Sequence, residues 1–299
     1  MLLPVIAAVD GSAESLAAAE WAAREAVRRD RPLKLLHAWS WHPRQNGETA
    51  TAAARHLGRR CLRQAEERVQ RACPGVRVED EQVEGPATAA LLRAADRADL
   101  LVLGSRGLSG FTGFVVGSVA LGVVARATRP VVLVRAEETA TDEHVPAADG
   151  HESTRTPYRD VVLALDLGDP CDEVIEFAFE AARLRSARLR VVHAWQQPSA
   201  IALGPGDIGL VQEPQRADEW LGFMTAVLQV WREKYPEIEV AETVTEGRAQ
   251  SVLVRAASGA SLLVVGRRAT DRPTGPRTGP VAHAAIHHVG CPVAVVPHD

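Results

Sequence analysis

Lysine is almost missing from this chain. Of 34 basic residues among 299, Lys34 and Lys234 are the two lysines and the other 32 are arginine. A G-x-x-x-x-G-K-[ST] phosphate cradle needs a lysine to reach the outer phosphates, and none stands near the glycine-rich stretch 104–118. Cysteine is sparse as well: Cys61, Cys73, Cys171 and Cys291 form no C-x-x-C pair and no ligand cluster. Free thiols of a cytoplasmic protein are therefore expected, and no zinc site. No run approaches the ~18 consecutive apolar residues that a membrane span requires. The opening MLLPVIAAV stops at Asp10-Gly11 and has no basic segment before it, so it reads as a first strand rather than a signal peptide. The net charge of −4 speaks against a nucleic-acid partner, whose sites are basic. No G-x-G-x-x-G follows the first strand and no G-x-S-x-G occurs, which sets aside the dinucleotide fingerprint and weakens a serine hydrolase.

What is present is written twice. LKLLHAW at 33–39 returns as LRVVHAW at 189–195, and both His37/His193 and Asp10/Asp166 are 156 positions apart. Glu84-Gly85 and Glu246-Gly247, like RPVVLV and CPVAVV, are 162 apart, so the second copy gains six residues, best placed in the Gly- and Pro-rich stretch 196–214. The length agrees with about two domains. In each copy Val/Leu-rich runs alternate with helical patterns. Continuous rather than alternating apolar runs imply strands buried on both faces, and strands separated by helices imply a mostly parallel sheet. Residues 1–136 and 158–299 are thus expected to be two five-stranded α/β domains. Residues 137–157, rich in charge and turn formers, read as an exposed linker. Ser12 reads as the N-cap of an alanine-rich helix, and the runs 24–31 and 59–71 read as solvated helix faces.

One stretch carries chemistry. GSRGLSGFTGFVVGS, residues 104–118, holds five glycines and follows an apolar strand. Parallel sheets bind ligands at the carboxyl ends of their strands, where Asp10 and Gly104 both fall. Gly107 and Gly110 suit positive φ or a close backbone approach. Gly117-Ser118 opens the next helix, whose free N–H groups and dipole favour an anion, and Ser118 adds a hydroxyl. The residues read as a phosphate cradle facing an acid. A plain strand-to-helix turn, with Asp10 only capping a helix, is the alternative.

The spacing Gly104, two residues, Gly107, nine residues, Gly117-Ser118 resembles the G-2x-G-9x-G-[ST] pattern of ATP-binding universal stress proteins. VIAAVDGS, LLHAW and RPVVLVR resemble the same family, and the likeness spans both copies. It implies a tandem of Rossmann-like domains, each with strand order 3-2-1-4-5. It also implies ATP, with Mg2+, in the first domain. Asp10 would meet the adenosine end and Ala38 the adenine, while Gly104, Gly107, Gly117, Ser118 and Val119 would hold ribose and phosphates. Arg106 is a further candidate for phosphate, or solvated surface. The resemblance implies pairing through the fifth strands, 130–135 with 292–297, as an intramolecular pseudo-dimer, with a homodimer and a protein partner beyond it.

The second copy keeps Asp166, Gly266 and Gly279 but has Ala269 for the second glycine and Pro280 for the Ser/Thr. Alanine could block positive φ, and proline lacks an N–H. Arg267, Arg268, Arg272 and Arg277 leave it attractive to anions. The expectation is weak or absent ATP binding there. His283 and His287 have a metal-compatible i, i+4 spacing without any H-E-x-x-H glutamate, and surface is the expectation. His37 and His193 are expected to be structural. The leading functional reading is a nucleotide-dependent regulatory protein of the stress response. A slow ATPase or self-phosphorylating enzyme and a nucleotide-free interaction module are the alternatives.

Overall fold

The computed structural model describes residues 2–39, 48–105, 116–196, 213–269 and 278–299. The first half runs β1 (Val5–Ala8), α1 (Ala13–Arg28), β2 (Leu33–Trp39), α2 (Glu48–Ala72), β3 (Val78–Glu84), α3 (Ala87–Ala95), β4 (Leu100–Ser105), α4 (Ser118–Val124) and β5 (Val131–Arg135). The second runs β6 (Val161–Ala164), α5 (Asp172–Arg185), β7 (Leu189–Trp195), α6 (Glu213–Lys234), β8 (Val240–Glu246), α7 (Ala249–Ala256), β9 (Leu262–Arg268), α8 (Pro280–His288) and β10 (Val293–His298).

These strands form one ten-stranded sheet of order β3-β2-β1-β4-β5-β10-β9-β6-β7-β8, so each half has the expected 3-2-1-4-5 order. All neighbours are parallel except the central pair, where β5 meets β10 antiparallel with Ala294 opposite Val132. An edge strand as apolar as VVLVR would invite other chains, and this pairing covers it. Successive strand residues face opposite sides. Val5 and Ala7 join Val161 and Leu163 in one core under α1, α2, α5 and α6. Ile6 joins Val162 in the other, under α3, α4, α7 and α8. Both faces are covered, which is why the strands show no apolar/polar alternation.

Two charged features differ from the sequence expectation. The linker is not wholly exposed: Glu143, in a 3-10 turn at Thr141–Glu143, is fully buried. It accepts from Arg24 Nε at 2.8 Å and from Arg28 of α1. The run 24–31 is likewise not a plain solvated face. Glu25 lies 2.7 Å from Arg185 of α5 and 2.8 Å from Arg29, linking the two halves through buried charge. The linker therefore supplies the second carboxylate that this arginine group needs when it leaves water.

Candidate functional site

Each half has a cavity where its sheet order reverses, at the carboxyl ends of β1 and β4 or of β6 and β9. The first has a volume of about 350 Å3 and its walls include Asp10, Ala38, Gly104, Gly117, Ser118 and Val119. Six of the residues singled out from sequence thus converge. Arg106, Gly107 and Gly110 lie outside the described residues. Glu14 and Ser15 from the first turn of α1 complete the acidic wall, and sequence reasoning missed them.

The loop after β1 builds this wall by local hydrogen bonding. Ser12 donates to Asp10 Oδ1 from its N–H at 3.0 Å and from its hydroxyl at 2.6 Å. The same hydroxyl caps α1 by accepting from Ser15 N at 3.2 Å. Burial pushes the Asp10 carboxyl up, but the Ser12 donors and then Ser15 outweigh it and leave it below its ordinary value. Asp10 is an anion here, held toward the cavity rather than free.

The two glycines of the opposite wall exist for different reasons. A Cβ on Gly104 would lie 2.6 Å from the Glu14 carbonyl carbon and 2.7 Å from Ser15 N, so this glycine lets β4 approach the start of α1. Gly117 has φ −60° and ψ 145°, a conformation open to any residue, and among the described residues nothing lies within 4 Å of a Cβ built there. The fold does not require glycine at 117; its missing side chain leaves room.

The second cavity is larger, about 480 Å3, and Asp166, Gly266, Gly279 and Pro280 line it. Here α5 begins six residues after Asp166, whereas α1 begins three after Asp10. Asp166 accepts from Gly168 N at 2.9 Å. Pro280 occupies the first helical position as expected, behind Gly279 at φ 72°. Ala269 is not strained: Asp30 and Ser186 are the positive-φ non-glycine residues among those described. The two described arginines, Arg267 and Arg268, make contacts with the protein itself. Arg268 pairs with Asp169, Arg267 is turned toward α4, and Arg272 and Arg277 lie outside the described residues. The ring of His298 fills part of the space over Gly266, with Nε2 3.0 Å from where a Cβ would stand.

The histidines behave structurally. His37 Nδ1 lies 2.7 Å from Val9 O, and His193 Nδ1 lies 3.0 Å from Leu165 O, each tying the second strand to the end of the first. The rings of His283 and His287 lie 4.3 Å apart between centroids, tilted at 48°. No group of three or more His, Cys, Asp or Glu with metal-binding geometry occurs among the described residues. None of the helices among the described residues is long and apolar enough to cross a membrane.

The sequence matches the Universal stress protein family over residues 1–135 and again over 157–297. A universal stress protein of Mycobacterium tuberculosis is 29% identical, with 97% of this chain and 96% of that protein covered. One from Mycolicibacterium smegmatis is 29% identical, with 98% and 96% covered. The crystal structure of a universal stress protein from Archaeoglobus fulgidus aligns with a TM-score of 0.72 at 17% identity, covering 99% of this chain and 98% of that one. At that identity the likeness concerns the fold. Two tandem matches, relatives of full length and a fold shared over the whole chain converge: the chain belongs to the universal stress protein family, with one family unit in each half.

Proposed function

We propose that the first domain binds ATP, with Mg2+, and that the chain is a nucleotide-dependent regulatory protein. The observation that carries this reading is Gly117. A glycine that its own backbone does not need, at the mouth of a cavity between an acidic turn and a helix start, is kept for something outside the protein. Asp10 would meet the ribose, Ala38 the adenine, and the backbone and hydroxyl of Gly117, Ser118 and Val119 the phosphates, with Arg106 and Gly107 adding to them. The charged residues among the described lining are Asp10 and Glu14. A triphosphate beside two carboxylates calls for a divalent cation to offset the repulsion.

The second domain, in this proposal, binds ATP weakly or not at all. Pro280 offers no N–H, Gly279 turns the chain differently, and His298 occupies part of the cavity. The fifth-strand pairing makes each chain a pseudo-dimer; association into a homodimer and a protein partner belong to the same proposal. The four free cysteines support placing it in the cytoplasm.

Calorimetric titration with MgATP tests the site. Wild type is expected to bind one tight ATP per chain, and Gly117→Val is expected to bind at least a hundredfold more weakly with its fold intact. Unchanged affinity in Gly117→Val rules out this site. Two tight ATP per chain, counted by native mass spectrometry, rules out the assignment to one domain.

A further inference from the structure

The helix at the mouth of the first cavity ends on a residue from the other domain. Arg267, near the end of β9, is 6% exposed. Its Nη1 donates to the Ala125 carbonyl at 3.3 Å and its Nη2 to the Ala127 carbonyl, just past the last turn of α4. Burial alone moves this guanidinium from its ordinary value, with no carboxylate set against it. The acceptors it meets are carbonyls at the partly negative end of a helix.

The carbonyls of that helix end are otherwise accounted for locally. Arg126 Nε closes on Gly122 O at 2.9 Å, and Ala127 N bonds Val123 O at 2.8 Å. Ala125 and Ala127 are the ones that take the arginine. α4 has seven residues, about 10 Å of helix, and one so short has no stability of its own. Its placement is set by the core contacts of Ala120, Val123 and Val124 and by this clamp. Its start is cavity wall from Gly117 to Ala120.

The contact runs one way. The residue equivalent to Arg267 in the first half is Ser105, which donates to Val134 O within its own domain at 3.3 Å. Arg267 meanwhile follows Gly266 in the wall of the second cavity. At this position the two halves differ, and the difference joins one cavity wall to the other.

We propose that Arg267 is a positioning residue through which the second domain holds α4, and with it the Gly117–Ala120 wall of the first cavity. The affinity arm of the test rests on the nucleotide reading; the exchange arm does not. Full-length wild type, Arg267→Met and Arg267→Lys are compared by amide hydrogen exchange without nucleotide and by MgATP titration. In Arg267→Met, exchange at residues 121–128 is expected to quicken at least tenfold while residues 282–289 of the second domain stay unchanged. The MgATP dissociation constant is expected to rise at least threefold, and Arg267→Lys is expected to recover part of both. Unchanged exchange at 121–128 overturns the proposal. Equal acceleration in both segments also overturns it, because that marks general loosening. Quickened exchange with unaltered MgATP affinity overturns the link to the cavity. Should Arg267→Met fail to fold, Arg267→Lys carries the same comparisons. A wild type indifferent to MgATP refutes the nucleotide site, and the exchange arm then decides this proposal alone.

Discussion

Replacing Glu25 by glutamine should be the most damaging conservative change in the protein. Its carboxylate and the guanidinium of Arg185 are at most 1% exposed and lie 2.7 Å apart. Once it is gone, Arg28 keeps Glu143, and Arg29 keeps Asp99 at 3.3 Å and Glu180 at 3.6 Å. Arg185 keeps the Ala181 carbonyl, at 3.2 Å, the face of Trp21, 5.8 Å away, and the more distant pull of Glu143, with a neutral amide oxygen where its carboxylate stood. Burial pulls Arg185 below its ordinary value, more than Glu25 restores, whereas Glu25 is held well below its own by Arg185, Arg29 and Arg28 against the push of burial. Arginine stays protonated at any working pH, so the variant leaves a bare buried cation. One-sided loss of a buried pair costs about 3–5 kcal/mol. At roughly 2–3 °C per kcal/mol for a chain of this size, the melting temperature should fall by roughly 6–15 °C. The double variant Glu25→Gln/Arg185→Met removes both charges and should return to within about 2 kcal/mol of wild type. The depressed Glu25 value sets the pH sign. Its stabilisation is full above the unfolded value of about 4.3 and drains as pH falls below it, so wild type and Glu25→Gln converge in acid. Urea and thermal unfolding of the four proteins, wild type, Glu25→Gln, Arg185→Met and the double variant, measure the cycle. A loss under about 1 kcal/mol in Glu25→Gln, or a double variant as unstable as the sum of its parts, refutes the reasoning.

Two further changes probe single features. Gly104→Ala must fit a methyl against the Glu14 and Ser15 backbone and should cost about 1–3 kcal/mol in urea unfolding; wild-type stability would show that β4 and α1 are not this close. Burial, then Asp142 and Glu143, push the Glu138 carboxyl up to about 8. A folded value above the unfolded one gives stabilisation that is full below about pH 4.3 and lost as pH rises through 8. The wild-type melting temperature should therefore slope downward from pH 5 to 8, and Glu138→Gln should flatten that slope; equal slopes in the two proteins would refute the assignment.

The repeat, the parallel sheet and the acidic turn were legible because each has a local cause. A strand buried on both faces shows as a run such as LLVLG, and Ser12 shows as a cap three residues before Ser15. Strand order came through the likeness of whole motifs, since a run of valines does not name its neighbours. The buried charges were illegible because their causes are distant in sequence. Arg24, Arg28 and Arg29 look like a solvated face until Glu143 arrives from 115 residues beyond Arg28 and Arg185 from 160 beyond Glu25. Arg267 looked like a lure for anions for the same reason: its partners lie 140 and 142 positions back, at the far end of another domain's helix.

The paired glycines at the helix starts show what a spacing motif counts. Gly117 and Gly279 stand at equivalent places, each before a short helix in the wall of a cavity. Gly117 has a backbone that any residue can adopt, and its lack of a side chain keeps space open. Gly279, at φ 72° and ψ 157°, lies in a region that essentially glycine alone visits, and its Cβ would also meet nothing among the described residues. Selection for an open cavity suffices to keep the first; the backbone angle alone suffices to keep the second, whether or not anything binds. A glycine retained in the second copy is therefore no sign of a retained ligand. The differences there lie at Pro280, which has no N–H to offer, and at Arg267 and Arg268, which contact the end of α4 and Asp169. Around the second cavity Arg267, Arg268 and His298 thus spend their contacts on the protein itself, so the shared glycine position alone does not make the two cavities equivalent.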